Sequence, residues 1–292
     1  MLAQQLLNGL LLGATYALFA LGFTLMFGVL RVVNLTYGFY FTAGAFVALW
    51  LTQGGLSLWL ALPAAALGSG ALAVALDALL LTRLRRTRAD ELASLMVTLG
   101  AVLALYAAMT AWLGPDIRRL PPGLLAEGAV SAFGLRVTLA QLMILAACAL
   151  LVGGLLWLMR ATRAGLAIRA LAERPDTAAL MGIDTARLAA FVSFLSGALA
   201  GAAGVLLGLD FNAVHPYMGE AMMLRGFVVI VVGGLGDIAG ALAAGLLLGV
   251  VEVLTAGYVA SGLKEAVAFA LLVLVLWTRP QGLFGAAPVR RA

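Results

Sequence analysis

The sequence predicts an all-α fold, a polytopic transmembrane bundle of about eight or nine membrane segments, some broken or re-entrant, with an internal pseudo-repeat. Three observations predict it. Apolar residues are 64% of the chain and charged residues 11%, with a mean hydropathy of +1.11, whereas a soluble surface needs roughly a quarter of residues charged. Apolar runs of about twenty residues recur, each able to cross the ~30 Å hydrocarbon core as a helix. The basic residues gather in alternate loops between those runs. The 35 glycines among 292 residues exceed the usual share of ~7%. They lie inside the runs, where small residues let backbones approach and permit broken helices.

Each element can be justified in turn. The first run, 6–30, has no Lys or Arg before Arg31, so it lacks the basic region of a signal peptide and is expected to stay as a span. Runs at 38–53 and 56–81 lead to a basic loop, and 92–113 leads to the stretch from Pro115 to Arg136, where Pro121 and Pro122 interrupt any helix. That stretch reads as a solvated connector or as a docking surface for an external partner. Runs at 139–159 and 188–209 flank a polar loop, 160–187. Cys148, the one cysteine, falls in the first of them and is expected to be a buried, inert thiol. Two short glycine-broken runs, 226–236 and 239–257, precede a last span at 265–278, and whether that pair spans fully decides between eight and nine crossings. One transmembrane domain thus covers 1–292, with the loop 160–187 and a tail at 279–292 in the cytoplasm.

Orientation follows from arginine. Arg83, Arg85, Arg86 and Arg88, then Arg160, Arg163, Arg169, Arg174 and Arg187, then Arg279, Arg290 and Arg291 make twelve on one side. Arg118, Arg119, Arg136 and Lys264 make four on the other. The positive-inside rule places the twelve in the cytoplasm and, with nine crossings, the N-terminus outside and the C-terminus inside. Arg31 and Arg225 stand at edges of apolar runs. The net charge of +5 therefore reflects topology, and no nucleic-acid partner is expected.

Several activities lack their residues. A phosphate-binding loop needs a lysine directly after its second glycine and then a hydroxyl; the single lysine, Lys264, follows Leu263 and precedes Glu265. No metal site or cofactor is expected from one histidine and one cysteine. Ser196 and His215 could be imagined as a hydrolytic dyad, but no G-x-S-x-G turn surrounds the serine. An ion-coupled carrier needs a buried ionisable group at mid-membrane. The candidates are Asp77, about five residues from the basic loop and able to reach the interface, and Glu252, near the external end of its run.

The loop from Arg160 to Leu188 is too polar for a span and too apolar for a plain linker. Leu166, Ile168, Leu171 and Ala172 supply an apolar face, Pro175 suits the first turn of a second short helix, and Gly182 suits its end. An amphipathic helix pair at the cytoplasmic surface follows. Seven stretches then resemble one family. They are Gln5 to Gly13, TYALFALGFTLMFGVLRVVNLTYG at 15–38, SLMVTLG at 94–100, AERPDTAALMGIDTARL at 172–188, GALAGAAGVLLG at 197–208, GGLGDIAGALAAGLLLGVVE at 233–252 and RPQGLFG at 279–285. Together they cover nearly the whole chain, which resembles the inner-membrane permeases of ATP-binding-cassette importers for branched-chain amino acids, H-type.

The resemblance implies a multi-pass bacterial inner-membrane subunit, not itself an enzyme. Its implied partners are a second permease, homologous or identical, two cytoplasmic ATPases and a periplasmic substrate-binding protein. It implies an ATPase-coupling loop comprising Gly165, Arg169, Ala172, Glu173, Arg174, Pro175, Ala178, Met181 and Gly182. Where the family commonly has Ala-His-Gly, this chain has Thr36, Tyr37 and Gly38; the family also includes urea and amide permeases. Two stretches are faintly alike at an offset of about 200 residues, with Gly28, Asn34, Gly38 and Gly44 in one and Gly233, Asp237, Gly240 and Gly245 in the other. Duplicated, glycine-broken helices are a known plan for transport paths. Asn34, Thr36, Tyr37, Gly38, Gly233, Gly234, Gly236 and Asp237 are therefore expected to line or shape the path.

Overall fold

The computed structural model describes residues 2–30, 33–82, 84, 91–121, 128–132 and 135–285. Arg31, Arg83, Arg85, Arg86, Arg88, Pro122, Arg290 and Arg291 lie outside the described residues. Eleven α-helices follow in order: α1 Leu2–Leu30, α2 Tyr37–Gln53, α3 Leu58–Leu76, α4 Glu91–Leu113, α5 Leu139–Ala161, α6 Arg163–Glu173, α7 Pro175–Leu180, α8 Thr185–Phe211, α9 Met218–Gly233, α10 Ile238–Tyr258 and α11 Lys264–Thr278. A π-helical turn, Asp77–Leu81, prolongs α3, and a hairpin of β1 Ala129–Ala132 and β2 Leu135–Thr138 precedes α5. Seven helical stretches are long and apolar enough to cross a membrane. The remaining two apolar helices, α2 with 17 residues and α9 with 16, reach about 25 Å, short of the hydrocarbon core.

α1 is the axis of the bundle. In its apolar window 83% of residues are buried, against 22% for α4 and 11% for the span ending at Thr278. Its main partner is α10, which runs antiparallel to it. A Cβ at Gly13 would stand 2.8 Å from Leu246 Cα, and one at Gly245 would stand 2.6 Å from Ala17 Cα. Lipid tails are as apolar as leucine, so helices associate there through such close backbone contact rather than through hydrophobic exclusion. α8 packs antiparallel on α3 in the same way, with Ser69 against Gly201 and Ala73 against Gly197.

Two faces result. The hairpin face carries the start of α1, the β-hairpin and the α8–α9 connection; there Gln4 Nε2 donates to Arg136 O at 3.0 Å and Arg136 N–H donates to Gln4 Oε1 at 3.0 Å. The stretch read as a connector is partly docked on this face. Arg118 and Val214 exchange backbone hydrogen bonds of 2.8 Å, and Leu120 N–H donates to Asn212 Oδ1 at 3.1 Å. The short-helix face, opposite, carries α6 and α7.

The two short helices begin inside the bundle. Tyr37, the first residue of α2, stacks on Phe23 with centroids 5.1 Å apart and donates from its hydroxyl to Phe19 O at 2.9 Å. α2 then rises to the hairpin face. α9 enters from the hairpin face and descends to the other; its Gly219 N–H donates to Thr42 Oγ1 at 3.0 Å, with Gly219 backbone against Gly38. The N-terminal ends of two short helices therefore meet within the bundle, where protein groups accept from the N–H groups of Tyr37, Phe39, Met218 and Gly219.

Candidate translocation and coupling site

The side chains of Asn34 and Thr36 form a closed polar knot with Tyr40 at the start of α2, where Tyr37 N–H donates to Asn34 O at 3.2 Å. Asn34 Oδ1 accepts from Thr36 N–H at 3.0 Å and from Thr36 Oγ1 at 2.6 Å, and Thr36 Oγ1 lies 2.8 Å from Tyr40 Oη. The Asn34 side chain thus fixes the turn that leads into α2. Asn34, Thr36, Tyr37 and Gly38 are buried against protein. Asp77 lies close enough to Tyr40 to act on it electrostatically. The expectation that Asp77 would reach the interface is corrected, for it is 4% exposed, held by a π turn that packs against α4 and α8. π turns recur at functional positions.

Gly233, Gly234, Gly236 and Asp237 lie elsewhere, at the turn between α9 and α10 on the short-helix face. Asp237 caps α10, accepting from Gly240 N–H at 2.6 Å. Gly233 and Gly234 are buried under residues 281–285: Leu283 N–H donates to Val232 O at 2.8 Å and Phe284 N–H to Gly233 O at 3.1 Å. Those carbonyls end α9 and have no partner within the helix. Two of the quoted motifs, at 233–252 and 279–285, thus meet in space and complete each other. The two candidate path groups share only a flank, where Gly236 faces Gly28 near the end of α1.

α6 and α7 form the predicted amphipathic pair, but Leu166, expected on its apolar face, is 62% exposed. Thr162 Oγ1 caps α6 by accepting from Gly165 N–H at 3.1 Å, and Gly165 is buried against the carbonyls that end α5. Pro175 opens α7. Gly182, with φ +83°, closes it by donating to Ala179 O at 3.0 Å while Ile183 N–H donates to Ala178 O at 3.1 Å, the paired bonds of a glycine-terminated helix. Ile168, Leu171 and Ala178 point into the protein, whereas Arg169, Glu173, Arg174, Pro175, Leu180, Met181 and Gly182 are exposed. A cavity of about 650 Å³ separates α6 from the α9–α10 turn, lined by Arg169 and Ala172 on one side and by Leu235 and Gly236 on the other. It is the place where the candidate coupling loop and the candidate path residues come nearest.

Sequence reading left Arg225 at the edge of a run. α9 begins two turns before that run, at Met218, so Arg225 stands mid-helix and donates from Nε to Glu252 Oε1 at 3.1 Å. Tyr16 Oη donates to Glu252 Oε2 at 2.7 Å, the Arg225 guanidinium lies 5.9 Å from the Tyr16 ring centroid, and Glu265 Oε1 lies 3.9 Å from Arg225 Nη2. The side chain of Glu252 is 2% exposed. The signal available in the sequence was an arginine and a glutamate on adjacent apolar runs, since a charge in lipid needs a partner.

Ser196 and His215 are far apart. Val214 packs on Gly208, about 18 Å along α8 from Ser196. Burial holds the His215 imidazole below its usual proton affinity, so it is neutral at pH 7. Among the described residues, no group of three or more His, Cys, Asp or Glu could hold a metal ion.

No solved structure matches the chain. It is 32% identical to the high-affinity branched-chain amino acid transport system permease protein LivH of Salmonella typhimurium, over 99% of this chain and 97% of the relative. It is 31% identical to LivH of Escherichia coli and to BraD of Pseudomonas aeruginosa, over 99% of this chain and 97% of each relative. Residues 5–276 match the family model described as the branched-chain amino acid transport system / permease component. With the match spanning every helix described above except the first residues of α1 and the last of α11, the chain belongs to the branched-chain amino acid transport system permease family.

Proposed function

We propose that this chain is the permease subunit of an ATP-driven importer of branched-chain amino acids in the bacterial inner membrane, with the short-helix face and the C-terminus in the cytoplasm. A second permease, two ATP-binding-cassette ATPases and a periplasmic binding protein complete the machine. The observation that carries this reading is the α6–α7 pair. It is rigidly seated on α5 at Gly165 and α1 at Ile168, yet it presents Leu180, 88% exposed, and Met181, 79% exposed, on its outer tip. Bare apolar side chains at the tip of a well-capped polar loop are an interaction surface, and a motor that grips this loop can bias the bundle from one orientation to another. The positive-inside count supports the sidedness, because the five arginines of 160–187 stand on the same face as that tip.

An ion-coupled carrier fares worse. Glu252, its best candidate ion site, already has its charge answered by Arg225 and Tyr16. The substitutions Glu173→Ala and Gly182→Val should leave insertion and assembly intact while uptake of leucine per ATP hydrolysed falls at least fivefold in proteoliposomes holding the full complex. Gly182→Val also forces a β-branched residue to a positive φ, a strain of about 1–3 kcal/mol confined to the loop. Normal coupling in both variants would refute the role given to α6 and α7, and accumulation of solute by the permease alone on an ion gradient would refute the importer reading.

A further inference from the structure

A second cavity, of about 500 Å³, lies between α4 and the first turns of α9. Leu99, Val102, Leu103, Met223 and Leu224 make its wall, and Tyr106, Tyr217 and Glu220 supply its polar groups. Its depth is fixed by its neighbours. Glu220 follows Gly219, whose N–H is bonded to Thr42 where the half-helices cross. Tyr106 sits seven residues from Leu113, the end of α4, about 10 Å inside. Tyr106 thus lies inside the apolar span of α4, with Glu220 across the cavity from it.

Glu220 is nevertheless exposed on the subunit surface. A carboxylate at this depth cannot face lipid; it must face a water-filled space or a cation. Tyr106 lines the cavity with its ring; it is 5% exposed, and its hydroxyl is buried on the side of Thr42. Tyr106 and Tyr217 rings lie 5.7 Å apart, and Glu220 is close enough to Tyr106 to act on its hydroxyl electrostatically. A negative group, two tyrosine rings and an aliphatic wall thus surround one space. Its size falls within the range of small-molecule sites.

We propose that this cavity is a transit subsite for aliphatic α-amino acids on the path between the paired permeases. Glu220 receives the ammonium group, and Leu99, Val102 and Leu103 contact the side chain. The subsite rests on the branched-chain amino-acid reading above and names where in the subunit the substrate pauses.

The test uses the complete importer in proteoliposomes. Wild-type uptake of leucine comes first; if the wild-type complex hydrolyses ATP and accumulates no branched-chain amino acid, the proposed function falls rather than the subsite. With wild-type uptake present, Glu220→Gln should lower leucine uptake per ATP hydrolysed at least tenfold, with Glu220→Asp recovering most of it. A packing role for Glu220 would not tell aspartate from glutamine in this way. As a second readout, Glu220→Cys in a Cys148→Ala background has a single thiol, which should react with a membrane-impermeant thiol reagent and react more slowly during leucine transport. Uptake by Glu220→Gln within twofold of wild type, or an unreactive Glu220→Cys, overturns the proposal.

Discussion

Glu252→Ala is expected to destabilise the permease by about 3 kcal/mol, because it leaves the Arg225 guanidinium inside the bundle with only the longer contact to the exposed Glu265 carboxylate. The Tyr16 hydroxyl loses its acceptor in the same step. For a chain of this size that corresponds to a melting midpoint lower by roughly 10 °C, readable by fluorescence-detected size exclusion of detergent-solubilised protein across a temperature series. The comparison that isolates the ion pair is the double variant Arg225→Met/Glu252→Leu. Removing both charges relieves the desolvation cost of each, so the double variant should be more stable than Glu252→Ala. If it is the less stable of the two, the pair is not what holds α1, α9 and α10 together. Tyr16→Phe, which keeps the ring under the guanidinium and removes one hydrogen bond, should cost about 1–2 kcal/mol.

Gly219→Val is expected to abolish transport. The position lies against the Gly38 carbonyl, where any Cβ overlaps backbone rather than a yielding side chain. Relief requires α2 and α9 to separate, which breaks the Gly219–Thr42 hydrogen bond and opens the polar knot below it. Overpacking of this kind costs about 1–3 kcal/mol, and the lost buried bond adds about 1 kcal/mol more. The chain should still insert, since its long helices are untouched. Leucine uptake by the reconstituted complex should fall at least tenfold. Activity near wild type would show that the crossing of the half-helices has no part in the path.

The long helices were legible because length and hydropathy alone decide whether a segment crosses lipid. The spans predicted at 92–113 and 139–159 are α4 and α5 within two residues at each end. α9 was misread by eight residues at its start, since Glu220 and Arg225 interrupt the apolar pattern that its packing tolerates. The loop 160–187 was readable in detail, down to Pro175 at the first turn of α7 and Gly182 at its close, because capping is local chemistry written in adjacent residues. What the sequence could not show was which turns sit at which depth. Asn34 and Asp237 both precede a helix and accept from N–H groups near its start, so they look alike in one dimension. In space one is buried at the middle of the bundle and the other caps α10 at its edge. Tyr106 and Glu220 are 114 positions apart in the sequence, and nothing local to either announces the other.

The position of α1 has a further consequence for biogenesis. α1 leaves the ribosome well before its lasting neighbour, α10, which is made more than 200 residues later. At ordinary elongation rates of about 5–20 residues per second that is a delay on the order of 10–40 s. Throughout it the glycine stripe around Gly13 has no mate, and Tyr16 waits for a carboxylate not yet synthesised. Nascent α1 must therefore be sheltered by lipid, by the insertion machinery or by a chaperone until the later half of the polypeptide arrives to claim it.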